Sequence, residues 1–324
     1  MNTLTSVELC AGAGGQALGI ERAGFAHTAL VELDPDACGT LRLNRPWWTV
    51  VQDDIRTFTH GACCLGAAHV DLLAAGVPCP PFSIAGQQLG ADDERDLFPA
   101  LLRLAGEIRP SAVMVENVRG LMDPKFADYR EQILQKLKDL GYVPVMWEVL
   151  YAADYGVPQL RPRSVLVALL PQFADAWVPP QPLAGPRPTV GRALAKSMLR
   201  RGLVGGDLVD WWSRAWDVAP TLVGGSKKHG GPDLGPTRAR KRWAELGVDG
   251  GSVANDDEPA TLDGPNGRGP RLTVEQCAII QGFPPEWQFA GKKTARYRQV
   301  GNAFPAPVAQ AVAERIAAAL RSAP

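Results

Sequence analysis

The sequence has no stretch approaching the roughly 20 uninterrupted apolar residues of a bilayer-spanning helix, and its first residues lack a basic region followed by an apolar core. These absences argue against a membrane span and a secretory signal, and predict a cytosolic protein. Histidine is scarce, at four residues, and the six cysteines at 10, 38, 63, 64, 79 and 277 show no CxxC spacing. The pattern excludes a small disulfide-rich framework and predicts free thiols in a reducing compartment. Cys63 and Cys64 are adjacent, a spacing that rarely puts both on one ion, and no histidine cluster joins them, so no metal site is expected. Neither sign of charge is in excess, since 34 Lys and Arg balance 34 Asp and Glu. That balance argues against a generally basic protein that coats nucleic acid.

What is present organises into three stretches. At 324 residues the chain is long enough for one large domain or two. Up to about residue 170, short apolar runs alternate with amphipathic segments, the pattern of a parallel α/β sheet. Strands are predicted at Ser6–Cys10, His27–Glu32, Val50–Gln52, Val70–Ala74, Ala112–Glu116, Val143–Val149 and Ser164–Ala168. Helices are predicted at Gln16–Ala23, Asp36–Asn44, Phe98–Ile108 and Phe126–Leu140. Residues 171–270 are rich in Pro and Gly with scattered tryptophans, which predicts a smaller irregular domain of short strands and long loops. Residues 271–324 carry two more helical patterns, Thr273–Gln281 and Pro307–Leu320, and are expected to return to the first domain.

Several strand ends carry chemistry. Glu8-Leu9-Cys10-Ala11-Gly12-Ala13-Gly14-Gly15 puts a glycine turn between the first strand and first helix, where a cofactor can approach the backbone at a helix N-terminus. About 20 residues on, Glu32 ends the next strand, placed to bond a ribose, and Asp54 follows the third, placed to meet an adenine amino group. Solvated turn residues would read the same way one at a time; three in succession favour an adenosine-containing cofactor. After the fourth strand comes Gly76-Val77-Pro78-Cys79-Pro80-Pro81-Phe82-Ser83, a single thiol on a loop between prolines. Taken alone, that segment fits a buried structural cysteine as well as a nucleophile. Glu116 ends an apolar strand, where burial favours a raised pKa and a shared proton. In Gln159-Leu160-Arg161-Pro162-Arg163, alternation puts Gln159, Arg161 and Arg163 on one face of an extended segment, able to grip a carboxylate or phosphate. Finally, Lys227, Lys228, His229, Arg238, Arg240, Lys241 and Arg242 lie close together against Asp233 alone, a set that suits either a phosphate backbone or a solvated face.

The order of these pieces resembles the DNA cytosine-C5 methyltransferases. Arg271-Leu272-Thr273 with Gln281-Gly282-Phe283-Pro284 resembles that family's ninth block, and Gln299-Val300-Gly301-Asn302-Ala303-Phe304-Pro305 its tenth. The resemblance covers most of residues 6–170 and 271–310. It implies a Rossmann-like, mixed but mostly parallel sheet in domain 1–170, a target-recognition domain at 171–270, and a hinge and terminal helix at 271–324. It further implies S-adenosylmethionine as cofactor, held by Ala11, Gly12, Gly14, Gly15, Glu32, Leu33, Asp54, Ile55, Pro78, Leu97 and Asn302. Cys79 matches the nucleophile that adds to C6 of a flipped cytosine, with Glu116, Arg161 and Arg163 completing the catalytic set. The loop from Pro80 to about Asp96 is implied to close over the base, with Ser83, Arg95, Lys227, Lys228 and Arg240 meeting DNA. Double-stranded DNA is the implied partner of a monomer that associates with the nucleoid, in a restriction–modification or epigenetic setting, with a cognate endonuclease acting separately.

Two positions depart from the family pattern. Glu8-Leu9-Cys10 stands where Asp-Leu-Phe is usual, which removes an aromatic contact to adenine, and Pro80 stands where Gln is common. Other readings are an RNA cytosine methyltransferase, a non-catalytic DNA-binding regulator on the same fold, and a nicotinamide-dependent oxidoreductase. The last rests only on the glycine turn and Glu32 and leaves the C-terminal blocks without a role. Replacing Cys79 by Ala is expected to abolish methyl transfer while cofactor binding, followed by calorimetry, stays close to wild type; retained turnover would remove Cys79 from the mechanism.

Overall fold

A computed structural model describes residues 3–59, 61, 69–77, 96–225 and 231–322. Cys79 and Pro78, with Pro80, Ser83, Arg95, Lys227 and Lys228, lie outside the described residues. The chain divides into two compact units, one of Met1–Leu150, Pro162–Gln181 and Val308–Pro324, the other of Tyr151–Arg161 and Pro182–Pro307.

The first unit runs β1 (Leu4–Leu9), α1 (Gly15–Arg22), β2 (Phe25–Glu32), α2 (Pro35–Asn44), β3 (Val50–Gln52) and β4 (Leu72–Gly76). It continues through α3 (Phe98–Ile108), β5 (Ala112–Val118), α4 (Ala127–Asp139), β6 (Val143–Tyr151), β7 (Pro162–Leu169) and a short α5 (Pro171–Ala174). The strands form one sheet in the order β3-β2-β1-β4-β5-β7-β6. Pairing is parallel from β3 to β5, and β7 enters antiparallel to β5. This is the mixed, mostly parallel sheet expected from the sequence. Element ends shift by a residue or two, as turn residues outside the ladder allow.

Strand alternation sorts the side chains. Val7, Leu9, Val31, Leu73, Ala75, Val113 and Val115 join one buried core with Leu101, Leu104 and Ile108 of α3 and Ile133 and Leu137 of α4. In α3 these residues recur at helical spacing, so one face of the helix closes on the sheet. By the period of two, Glu8, Glu32, Gly76 and Glu116 fall on the opposite face of their strands. Local signals set the helix starts: Asp34 caps α2, accepting from the backbone amides of Asp36 at 2.9 Å and Ala37 at 3.4 Å, with Pro35 in the first turn.

The second unit departs from expectation. It contains α6 (Val190–Arg200), α7 (Gly205–Arg214), α8 (Thr237–Glu245), α9 (Val274–Gln281) and α10 (Lys293–Asn302). Among its described residues from 182 to 307 there is no strand, only an isolated parallel bridge between Gln159 and Ala219. The Pro and Gly residues punctuate helices rather than hairpins, because Val190, Leu194 and Met198, and then Trp211 and Trp243, give each segment a buried helical face. The unit boundaries differ too, with 151–161 and 271–307 in this unit and the terminal helix Ala306–Ser322 rejoining the first from Val308. The reason is a buried polar centre. Gln159 donates to Ile280 O at 3.2 Å and Gln281 Oε1 at 2.7 Å and accepts from Leu222 N at 2.8 Å, while Gln281 donates to Ala303 O at 2.5 Å. Four segments distant in sequence are thereby tied together.

No helix among the described residues is long and apolar enough to cross a membrane. In the first unit, His27 is partly buried beside Trp48, with its ring nitrogens 2.9 Å from Ser6 Oγ and from Ala17 O. Burial pushes its pKa down to about 4, against the smaller opposite pulls of the Ala17 carbonyl and Glu21. A depressed histidine contributes stability that is complete above about pH 6.5 and is lost as pH falls towards 4. Denaturant unfolding is expected to show the wild type losing roughly 3 kcal/mol more between pH 7 and pH 4 than a His27→Gln variant does; equal losses would mean that His27 protonates freely in the folded state.

Candidate active site

The turn after β1 is built from left-handed backbone. Cys10, Gly12 and Gly14 have φ of 55°, 54° and 83°, a region where glycine is unstrained and a side chain is rare. Among the described residues no heavy atom lies within 4 Å of where a Cβ on Gly12 would sit, so they leave space open above the turn. Glu32 orders the turn from the end of β2, accepting from Gly12 N at 2.8 Å and Asp34 N at 2.7 Å. Burial pushes the Glu32 pKa up and these two amides pull it down. Cys10, a half-buried thiol, is held protonated by burial first and then by Glu32, Asp54 and Glu8.

Beneath the turn, Glu8 is 1 % exposed, and neither carboxyl oxygen has a hydrogen-bond partner among the described residues. Burial, with Glu32 adding to it, raises its pKa well above the ordinary range. Beside the turn, Leu33 is exposed and Ile55 buried. Asp54 is engaged by its own neighbour, with Arg56 Nε 3.0 Å from both carboxylate oxygens and Arg56 N donating at 3.0 Å. These contacts, led by the side-chain hydrogen bond, lower the Asp54 pKa. Arg103 of α3 then donates to Ile55 O and Phe58 O, both at 2.9 Å, tying the turn after β3 to the helix that Leu97 precedes. Sequence reasoning missed Arg56 and Arg103. Arg56 had a local signal two residues after Asp54, whereas Arg103 acts across 48 residues on backbone carbonyls and had none.

Glu116 and Arg163 meet because of strand register. In the antiparallel β5–β7 pair Val118 faces Arg163, so Arg163 lies diagonally beside Glu116 on the same face of the sheet. Arg163 Nε is 2.7 Å from Glu116 Oε1, with both side chains about nine-tenths buried. Gly76 pairs with Glu116 in the parallel direction, and a Cβ there would sit 3.7 Å from Glu116 Oε2 and 3.5 Å from Cys10 O. The carboxylate therefore lies over the end of β4, next to the turn after β1. Asn117, on the other face, donates to Val77 O at 3.4 Å, one residue before the Pro78-Cys79 segment.

Arg161 has a different environment from the one its spacing suggested. It is fully buried and precedes the strand, donating to Leu222 O at 2.9 Å and Gly301 O at 2.8 Å within the second unit. The two arginines thus engage different partners instead of sharing a face, because regular alternation begins only at Pro162. Asn302 ends α10 in the second unit, its amide donating to Gly225 O at 3.2 Å. There Gly224 passes so close that a Cβ would fall 2.5 Å from Arg298 O. Arg240, on α8, packs against Gly250.

Among these groups the open glycine turn and the backbone-bound Glu32 at the end of β2 fit an adenosine-bearing cofactor. No group of three or more His, Cys, Asp or Glu suited to a metal ion occurs among the described residues. A double-mutant cycle of Glu116→Gln and Arg163→Ala, read by denaturant unfolding, is expected to give a coupling above about 1 kcal/mol, since removing one partner strands a buried charge. Additive losses would show that the pair contributes nothing beyond its separate side chains.

Comparison with known proteins identifies the family. A family model described as C-5 cytosine-specific DNA methylase matches residues 4–198 and 211–318. The Type II methyltransferase M.NaeI of Lentzea aerocolonigenes is 54 % identical over 99 % of this chain and 76 % of its own length. M.NgoMIV of Neisseria gonorrhoeae, also a Type II methyltransferase, is 51 % identical over 98 % of both chains. Among solved structures, the DNMT2 of Spodoptera frugiperda shares the fold with a TM-score of 0.66 at 16 % identity, covering 97 % of this chain and 99 % of that one. The chain belongs to the C-5 cytosine-specific DNA methylase family.

Proposed function

We propose that this enzyme methylates C5 of a specific cytosine in duplex DNA through a covalent Cys79–C6 adduct, on a base flipped out of the helix. The observation that carries the reading is the buried Glu116–Arg163 pair set over Gly76, beside the turn after β1 and three residues before Cys79 in sequence. C5 of cytosine is a weak nucleophile. Addition of the Cys79 thiolate to C6 makes the ring enamine-like, and Glu116 hydrogen-bonds its N3 and amino edge as charge builds there. Arg163 holds that carboxylate in place; Arg161, bound to two carbonyls, supports the segment that carries Arg163. S-adenosylmethionine supplies an electrophilic methyl group at its sulfonium. C5 would take the methyl as the sulfonium S–CH3 bond breaks and S-adenosylhomocysteine leaves as a neutral thioether; a base then removes the C5 proton, and the Cys79–C6 bond breaks to restore the aromatic ring and the thiolate. Both faces of the base must be reached, which requires flipping.

For the cofactor, Ala11, Gly12, Gly14 and Gly15 cradle the amino-acid end, Glu32 takes the ribose, and Asp54, Leu33, Ile55 and Leu97 flank the adenine, with Pro78 and Asn302 completing the set. Arg56 and Arg103 hold the adenine side in position through Asp54 and the Ile55 and Phe58 carbonyls. Ser83, Arg95, Lys227, Lys228 and Arg240 meet the DNA, and the second unit reads the target. The Type II naming of the relatives supports a restriction–modification role, with a separate endonuclease of matching specificity.

The test uses radiolabelled S-adenosylmethionine with duplex DNA and, in parallel, tRNA, followed by duplexes carrying 5-fluorocytosine. Label is expected in DNA, and fluorine at C5 is expected to block the elimination and leave a denaturant-resistant protein–DNA complex that a Cys79→Ala variant does not form. Label confined to RNA would overturn the DNA reading. Transfer to DNA without a trapped complex would overturn the covalent step.

A further inference from the structure

The strongest unexplained electrostatic feature lies on α8. Its sequence, Thr-Arg-Ala-Arg-Lys-Arg-Trp-Ala-Glu, has four cations at 238, 240, 241 and 242 and no acidic side chain before Glu245. Such a placement is unfavourable for an isolated helix. Cations near the first turn oppose the helix dipole, and they repel one another at i, i+3 and i, i+4 spacing. A chain with no net charge has no general reason to gather them there.

The four do not share one fate. Arg242 is neutralised by Asp217 and by Glu245 at 2.6 Å, and its guanidinium lies 5.9 Å from the ring centre of Trp216. Arg240 serves packing in part, since a Cβ on Gly250 would meet its side chain at 3.3 Å. Trp243 anchors the helix and is fully buried. Arg238 and Lys241 are left, both exposed and neither in an ion pair or side-chain hydrogen bond among the described residues. Three residues apart, they stand side by side on the outer face of the helix.

We propose that Arg238 and Lys241 form a docking face for the phosphate backbone of duplex DNA, a contact that positions the second unit and reads no bases. The proposal rests on the methyltransferase reading, which makes duplex DNA the polyanion this enzyme must hold. Exposed guanidinium and ammonium groups fixed on a rigid helix match that polyanion, and each phosphate they neutralise releases a condensed counterion. Arg238 and Lys241 thus join Arg240, whose packing against Gly250 limits its reach.

The salt dependence of binding tests this. Anisotropy with a labelled mixed-sequence duplex is measured over a salt series for wild type, for Arg238→Ala/Lys241→Ala, and for Arg192→Ala/Lys196→Ala. The last pair removes two exposed cations from α6 of the same unit and controls for overall charge. The α8 pair is expected to flatten the slope of log K against log salt by about 2 and to weaken binding about ten- to hundredfold near 0.1 M salt. Cofactor affinity should be unchanged and the α6 pair should behave as wild type. An unchanged slope, or the same flattening in both pairs, would sink the docking face and leave the methyltransferase reading intact. Absence of duplex binding by the wild type would remove the reading itself. An α8 variant that binds DNA normally but loses retention on an acidic protein surface would assign the face to a protein partner instead.

Discussion

The antiparallel entry of β7 between β5 and β6 is the constraint on which the candidate active site depends. In a wholly parallel sheet the strand beside β5 would arrive with its C-terminal end at the site. Running the other way, β7 brings its first residues there, and the Val118–Arg163 register sets a guanidinium against Glu116. A carboxylate this buried is costly without a partner, and Arg163 compensates it with a short, directed contact. Immediately upstream in the chain, Gln159 and Arg161 are held by backbone carbonyls and Gln281 of the second unit.

Charge is managed differently across the two halves of the site. At the turn after β1 burial raises the pKa of Glu8 and Glu32, and Gly12 and Asp34 donate backbone amides to the latter. At the strand β5 end an arginine supplies the balance directly. On α8 two exposed cations, Arg238 and Lys241, have no ion pair among the described residues.

Legibility in the sequence followed the range of the interaction. The parallel strands, the glycine turn, Glu32, Asp54 and Glu116 were legible because strand period, turn chemistry and spacing are local, and because apolar runs ending in a polar residue mark the rim of an α/β sheet. The second unit was misread as short strands because Pro and Gly content reports where regular structure stops, not which kind lies between. Only the buried faces built on Val190, Leu194, Met198, Trp211 and Trp243 show that it is helical. Alternation read from Gln159 does not reveal the partners of Arg161, two backbone carbonyls distant in sequence, because the strand begins only at Pro162.

By itself the sequence determined the family, the order of the strands along the chain and the residue types able to do the chemistry, since these rest on motif order and local pattern. Tertiary structure decided which of those groups meet. Strand register joined Glu116 to Arg163, long-range hydrogen bonds sent Arg161 to Leu222 and Gly301, and Arg103 reached 48 residues back to the turn after β3. Backbone carbonyls and diagonal neighbours across a sheet leave no mark in linear spacing, because every residue carries the same backbone and the partner is chosen by the fold.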